Sequence, residues 1–284
     1  MKLASFCIAS RTSWGMVEGN SIVDVGKVLQ ARYSDLRALI AAGAQDEVLR
    51  QVATAPRIPV TDIQWLPVIP NPEKIICVGL NYEMHRKEIG RSVVEQPTIF
   101  ARYANSHTGH LANIQRPRVS TSLDYEGELA VIIGKPGRYI AQAQAWDHIA
   151  GYACYNDGTL RDWQRHTTQF TPGKNFPQTG AFGPWMVTRE SLGEIGSQRI
   201  QTRLNGTVVQ DATLGDMIFS IPKLIEYCSS FTRLEPGDVI ATGTPGGVGD
   251  KRDPQLWMKP GDSVEVEIDG IGILRNGVAD ETTD

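Results

Sequence analysis

Asp124-Tyr125-Glu126-Gly127-Glu128-Leu129-Ala130-Val131-Ile132-Ile133 places an acidic cluster at the mouth of a very apolar strand. Side chains alternate along a strand, so Glu126 and Glu128 point the same way. Two carboxylates held close on one face repel unless a cation or a proton sits between them. Oxygen donors at that spacing suit a hard ion such as Mg²⁺ or Mn²⁺. Read alone, the same pair fits equally well two glutamates that face solvent.

Strand signals dominate the chain on both sides of this stretch. They begin with the run 74–79 (KIICVG) and continue at 201–204, 207–209, 239–242 and 264–274. Asn205-Gly206 and Asp269-Gly270 tolerate the positive φ that two-residue hairpin turns require, so antiparallel pairing is expected. Pro236-Gly237-Asp238 and Pro260-Gly261-Asp262 mark turns before two of these strands. One long helix is expected over 220–231, with Ser220 as its cap and Leu224, Ile225, Cys228 and Phe231 along one face.

Residues 1–66 have a different texture. Strand-like pieces at 3–9 and 21–25 precede helical groupings of Leu36, Leu39 and Ile40, then of Val48, Leu49 and Val52 beyond Gly43. Prolines at 56, 59, 67, 70 and 72 then break periodic structure repeatedly. The expectation is an α+β protein, mostly β: a small N-terminal α/β domain over 1–66 and a catalytic domain over 67–284.

The 284 residues, 41% hydrophobic and 21% charged, are enough for a large core. A formal charge of -4 leaves no electrostatic footprint for nucleic acid, so a small molecule is the default partner. Cys7, Cys77, Cys154 and Cys228 stand apart, without CxxC spacing, which points to free thiols in a reducing compartment. The first residues lack the apolar length of a signal peptide, and no window approaches a spanning helix. A cytoplasmic protein away from the membrane is expected.

Further candidate groups lie along the chain. Asp157, after the apolar run 149–154, is either a turn former beside Gly158 or a third oxygen ligand. The stretch 79–90 (GLNYEMHRKEIG) reads as a short helix with Asn81 near its cap and Gly90 at its end. On it His85 and Glu88 share a face, as a base oriented by a carboxylate would, or as an exposed ion pair would. Arg161, Gln164 and Lys174 lie in a loop-rich stretch where cations can grip a substrate carboxylate or an oxyanion. The glycines of 242–249 (TGTPGGVG) can bring backbone N–H groups against a ligand. No Gly-Lys-Ser/Thr closes that segment, and Pro254 opposes a helix after it, so it is not a phosphate-binding loop.

Taken in order, GLNYEMHRKE, DYEGELAVIIGK, GYACYNDGTLRDWQ, the GK before Asn175, GPWMVT, LNGTVVQDATLGDMIFSIPKLI and EPGDVIATGTPGGVG resemble the fumarylacetoacetate hydrolase family over about 74–278. The resemblance implies a β-roll or sandwich catalytic fold, Mg²⁺ or alternatively Mn²⁺, a homodimer and a small 2-oxo acid substrate. By motif it puts the metal ligands at Glu126, Glu128 and Asp157, and the catalytic groups at His85, Glu88 and Lys174. Arg161, Gln164 and Thr244 fall on substrate-facing positions, and Tyr82 and Arg102 are expected to join them. The implied reaction is carbon–carbon hydrolysis of a 2,4-dioxo acid through a metal-bound enolate. The alternative is a lyase of the same family, an oxaloacetate decarboxylase or a hydratase or isomerase of 2-oxo-enoates. The wording departs from the family at 100–110, 165–172 and 175–180, which are expected to shape the far end of the substrate pocket. Trp163 and Trp185 read as packing residues.

Overall fold

In the computed structural model, which describes residues 1–88, 90 and 95–282, the stretch that opened the sequence is the middle of a large sheet. Among the described residues this sheet has twelve strands. Its spatial order runs Arg57–Pro59, Ser21–Val23, Arg11–Glu18, Lys2–Ile8, Gly180–Thr188, Ile149–Asn156, Gly127–Ile133, Val239–Ala241, Ile75–Gly79 and Thr98–Arg102. Gln64–Trp65 and His107–Thr108 pair onto Lys2–Ile8 and Gly180–Thr188. A second sheet of five strands packs on it: Thr207–Thr213, Arg199–Leu204, Ser263–Ile268, Gly272–Asp280 and Ile114–Arg116.

The apolar run is continuous because both faces of the strand are covered. Leu129, Val131 and Ile133 pack with Ile200, Val264, Val266, Leu224 and Ile225, from the second sheet and the helix Ile221–Phe231. Ala130 and Ile132 pack instead with Trp14, Leu36, Leu39 and Ile40 from the N-terminal segment. Gly127, between the two glutamates, is where the second sheet comes closest. A Cβ there would lie 2.1 Å from Thr202 Oγ1, so the pattern Glu-Gly-Glu leaves the odd position without a side chain.

The N-terminal segment does not stand apart from the rest. Lys2–Ile8 pairs with Gly180–Thr188, and its Leu3 shares a core with Ala153 and Met186. The sheet therefore runs through the division expected at 66, because these strands cover what would be an exposed sheet edge. Asn205 and Gly206 both take positive φ, 52° and 81°, as a two-residue turn of this kind requires. At Asp269-Gly270 the expected two-residue turn is replaced by a longer one. Ile268 pairs with Gly272, and Ile271 is buried inside the loop.

Ser220 caps the helix Ile221–Phe231, whose Leu224, Ile225 and Cys228 are buried; Phe231 is exposed and meets the Tyr227 ring edge-on. Leu49 is likewise exposed, and Val48 carries the packing of its helix. Among the described residues no helix is long and apolar enough to cross a membrane.

Because Leu129 is fully buried at the junction of the two sheets, Leu129→Ala should lower unfolding free energy by about 2–5 kcal/mol, read from urea denaturation.

Candidate metal centre

The hairpin register brings the three carboxylates together. Gly127 pairs with Asn156 and Glu128 with Tyr155, and the Asp157 N–H donates to the Glu126 carbonyl at 2.8 Å. Glu126, Glu128 and Asp157 are all buried, and one oxygen from each lies within 4.8 Å of one from each of the others.

Such a cluster needs counter-charge. Lys174, 1% exposed at the end of the short helix Thr171–Lys174, puts its Nζ 2.6 Å from both Glu126 Oε2 and Asp157 Oδ2. Burial draws the Lys174 ammonium toward neutrality, but Asp157 and Glu126 outweigh it and raise the pKa. Burial pushes Glu126 up, yet Lys174, Arg161 and His85 together hold it below the usual carboxylate range. Glu128 goes the other way. Burial, then the charges of Asp157 and Glu126, push it well above that range.

His85 is nearly buried on the helix Glu83–Glu88, and its Nδ1 lies 3.2 Å from Glu88 Oε2. Ile89, included in this helix by the sequence, lies outside the described residues. Asn81 does not cap the helix; its side chain bonds Phe219 and the Thr242 carbonyl and so pins the glycine-rich segment beneath.

That segment also differs from expectation. The Gly243 N–H donates to Glu128 Oε2 at 2.9 Å, and the Gly247 N–H donates to Glu88 at 3.2 Å. Both serve protein carboxylates rather than a ligand oxyanion. Gly243 and Gly247 each take φ 100°, which favours glycine. Thr244 bonds the Gly127 carbonyl and receives the Gln210 amide, which ties the segment to the start of the central strand.

Glu126, Glu128, His85, Lys174, Arg161, Gln164 and Thr244 open on one cavity of about 650 Å³. Phe100, Arg165 and Phe170, from stretches expected to shape the far end of the pocket, also line it, as does Asp250, to which the sequence assigned no role. Arg161 is fixed by Asp124 Oδ2 at 2.8 Å and by Gln164 at 3.1 Å, and its Nη2 lies 2.6 Å from Glu126 Oε1 in charge contact.

Arg102 and Tyr82, expected at the substrate, are not among the residues that line this cavity. Arg102 lies at the end of the strand Thr98–Arg102, behind Asp157, where the protein satisfies its guanidinium. Tyr82 is buried beside Met217, and its hydroxyl has no hydrogen-bond partner among the described residues. Trp163 packs on Phe176 and Trp185 on Trp65.

The family model for the fumarylacetoacetate hydrolase C-terminal domain matches residues 74–279, the region that carries the carboxylate cluster and the cavity-lining side chains. The chain belongs to the fumarylacetoacetate hydrolase family. It is 39% identical over 234 residues to the mitochondrial oxaloacetate tautomerase FAHD2A of Bos taurus, covering 81% of this chain and 74% of that one. A fumarylacetoacetate hydrolase from Exiguobacterium antarcticum has a similar structure, with TM-score 0.87, 34% identity, and 99% and 100% of the two chains covered. So does a maleylpyruvate hydrolase from Sphingobium sp. SYK-6 in complex with manganese(II) and pyruvate, with TM-score 0.83, 27% identity, and 99% and 100% covered.

The donor set of this family member fits a hard divalent cation: three buried carboxylates, no sulfur or nitrogen ligand among them, and an ammonium already held between two.

Asp124, fully buried, was the residue most underread in the sequence. It accepts from the N–H groups of Gly249 and Asp250 at 2.8 and 3.0 Å and from Arg161. Asp124→Asn turns an amide N–H toward one of those donors. It should cost about 1–3 kcal/mol in chemical denaturation and speed hydrogen exchange at Gly249 and Asp250.

Proposed function

We propose that this chain is a divalent-cation-dependent enzyme of small 2-oxo acids that interconverts the keto and enol forms of an oxaloacetate-type diacid. The observation that carries this reading is one cavity on which Glu126 and Glu128 of the carboxylate cluster, the Lys174 ammonium and His85, paired behind with Glu88, all open. The tautomerase activity named for the bovine relative supports oxaloacetate as substrate.

A divalent ion held by Glu126, Glu128 and Asp157 would supply Lewis acidity toward the 2-oxo oxygen. Glu88 accepts the Nδ1 proton of His85 and leaves Nε2 as the atom that takes up or returns a proton. Keto–enol conversion moves one proton between carbon 3 and the 2-oxo oxygen, and one histidine performs both transfers in turn. Lys174 and Arg161 bring positive charge to the oxygen on which negative charge gathers, and Gln164 offers an amide beside them.

A second reading, hydrolysis of a 2,4-dioxo acid, is favoured by the cavity, whose volume of about 650 Å³ exceeds what a four-carbon diacid fills. The maleylpyruvate hydrolase of similar structure supports it as well. In that reaction His85 activates water and a pyruvate enolate leaves.

Chelator-treated enzyme, resupplied with Mg²⁺ or Mn²⁺, should speed the ultraviolet decay of enol-oxaloacetate above the buffer rate. His85→Ala should lower kcat by about 10²–10⁴-fold. Pyruvate release from acylpyruvates, with no effect on the oxaloacetate enol, would establish the hydrolase instead; carbon dioxide release from oxaloacetate would establish the lyase.

A further inference from the structure

Three carboxylates carry six oxygens, and the number each offers decides which ion fits between them. In each of the three, one oxygen is already engaged by a fixed group: a hydrogen-bond donor for Asp157 and Glu128, a charge contact for Glu126. Asp157 Oδ1 accepts from Arg102 Nη1 at 2.6 Å, Glu128 Oε2 accepts from the Gly243 N–H at 2.9 Å, and Glu126 Oε1 lies 2.6 Å from Arg161 Nη2. The opposite oxygens face inward. Asp157 Oδ2 and Glu126 Oε2 meet the Lys174 ammonium, and Glu128 Oε1 has no hydrogen bond among the described residues.

Arg102 is the most constrained of the three groups. It is 2% exposed, and every N–H it carries is used. Nη1 also donates to the Gly158 carbonyl at 2.9 Å; Nε donates to Ser106 Oγ at 3.1 Å; Nη2 donates to the Ser106 carbonyl at 3.3 Å and Thr179 Oγ1 at 3.1 Å. Gly180 makes room for it, since a Cβ there would sit 2.8 Å from Nη2 and 2.9 Å from Cζ. A guanidinium seated this way cannot swing aside to release Asp157 Oδ1.

We infer that Arg102, together with the Gly243 N–H and Arg161, restricts each carboxylate of the cluster to one inward oxygen, so that the centre selects Mg²⁺ or Mn²⁺ over Ca²⁺. Mg²⁺ takes six oxygens in a compact octahedron, whereas Ca²⁺ takes six to eight and draws on bidentate carboxylates to reach them. The inference rests on the metal-centre reading proposed above. Arg102 is a positioning residue, acting only through Asp157.

Binding of MgCl₂, MnCl₂ and CaCl₂ to the chelator-stripped chain, measured by titration calorimetry, tests it in the wild type, Arg102→Lys, Arg102→Met and Ser106→Ala. A lysine keeps the charge but carries its donors on one atom and cannot span Asp157, Gly158, Ser106 and Thr179. The quantity read is the ratio of Mg²⁺ to Ca²⁺ affinity, in which the loss of one charge largely cancels because both ions are divalent.

The wild type should favour Mg²⁺ and Mn²⁺. The ratio should fall by about tenfold or more in Arg102→Lys and Arg102→Met, and by less in Ser106→Ala. Thermal unfolding of each metal-free variant identifies those that fold, and Ser106→Ala decides the matter if neither Arg102 variant does. An unchanged ratio in the folded variants, or a wild type that binds Ca²⁺ as tightly as Mg²⁺, overturns the inference and leaves the metal centre standing. A wild type that binds no divalent ion overturns both.

Discussion

Residue 127 faces residue 156 across the central strand pair, and from that register it follows that Glu126, Glu128 and Asp157 meet at a buried site. Burying one unpaired carboxylate costs several kcal/mol, and clustering three adds their mutual repulsion. The surrounding structure answers that demand. Lys174 stands between two of the carboxylates, Arg102 lies behind the third residue of the cluster, and Arg161 closes the side toward Asp124. Among the described residues Glu128 receives a backbone N–H alone, and burial with the charges of Asp157 and Glu126 raises its pKa.

The same demand explains the glycine-rich segment. Its two N–H groups go to Glu128 and to Glu88, so one piece of backbone fixes both a carboxylate of the cluster and the acid that orients His85. The acid–base pair and the carboxylate cluster are thus tied together through residues 243–247. Asn81 and Gln210 hold that backbone from either side. A histidine with one nitrogen fixed and a neighbouring cluster of oxygen donors is suited to moving a proton on a substrate whose oxygen is being polarised. Tautomerisation, decarboxylation and hydrolysis of 2-oxo acids can all draw on that pairing, and Phe100, Phe170 and Arg165 line the same cavity.

Two cores meet on the central strand, and this shapes how the N-terminal segment is used. Its strands extend the sheet, and its helices cover the face that carries Ala130 and Ile132. Glu128 continues the parity of those two residues, so the face closed by the N-terminal helices is the one that ends in the carboxylate cluster.

The sequence by itself determined the strand-rich character of the chain, the hairpin at Asn205-Gly206, the capped helix after Ser220 and the residue types of the site, because alternation, turn chemistry and capping are local. It also carried the family, through motifs in order. Only the tertiary structure decided which of those residues share a cavity. Arg102 and Thr98 have the same strand parity, yet Thr98 lines the cavity while Arg102 lies buried behind Asp157. Asp124 looked like one more acid in a run until the fold brought the N–H groups of Gly249 and Asp250 to it. That one sheet spans the boundary expected at 66 has the same cause: whether a strand founds its own sheet or joins another depends on which strand it can pair with, and that strand, Gly180–Thr188, lies far along the chain.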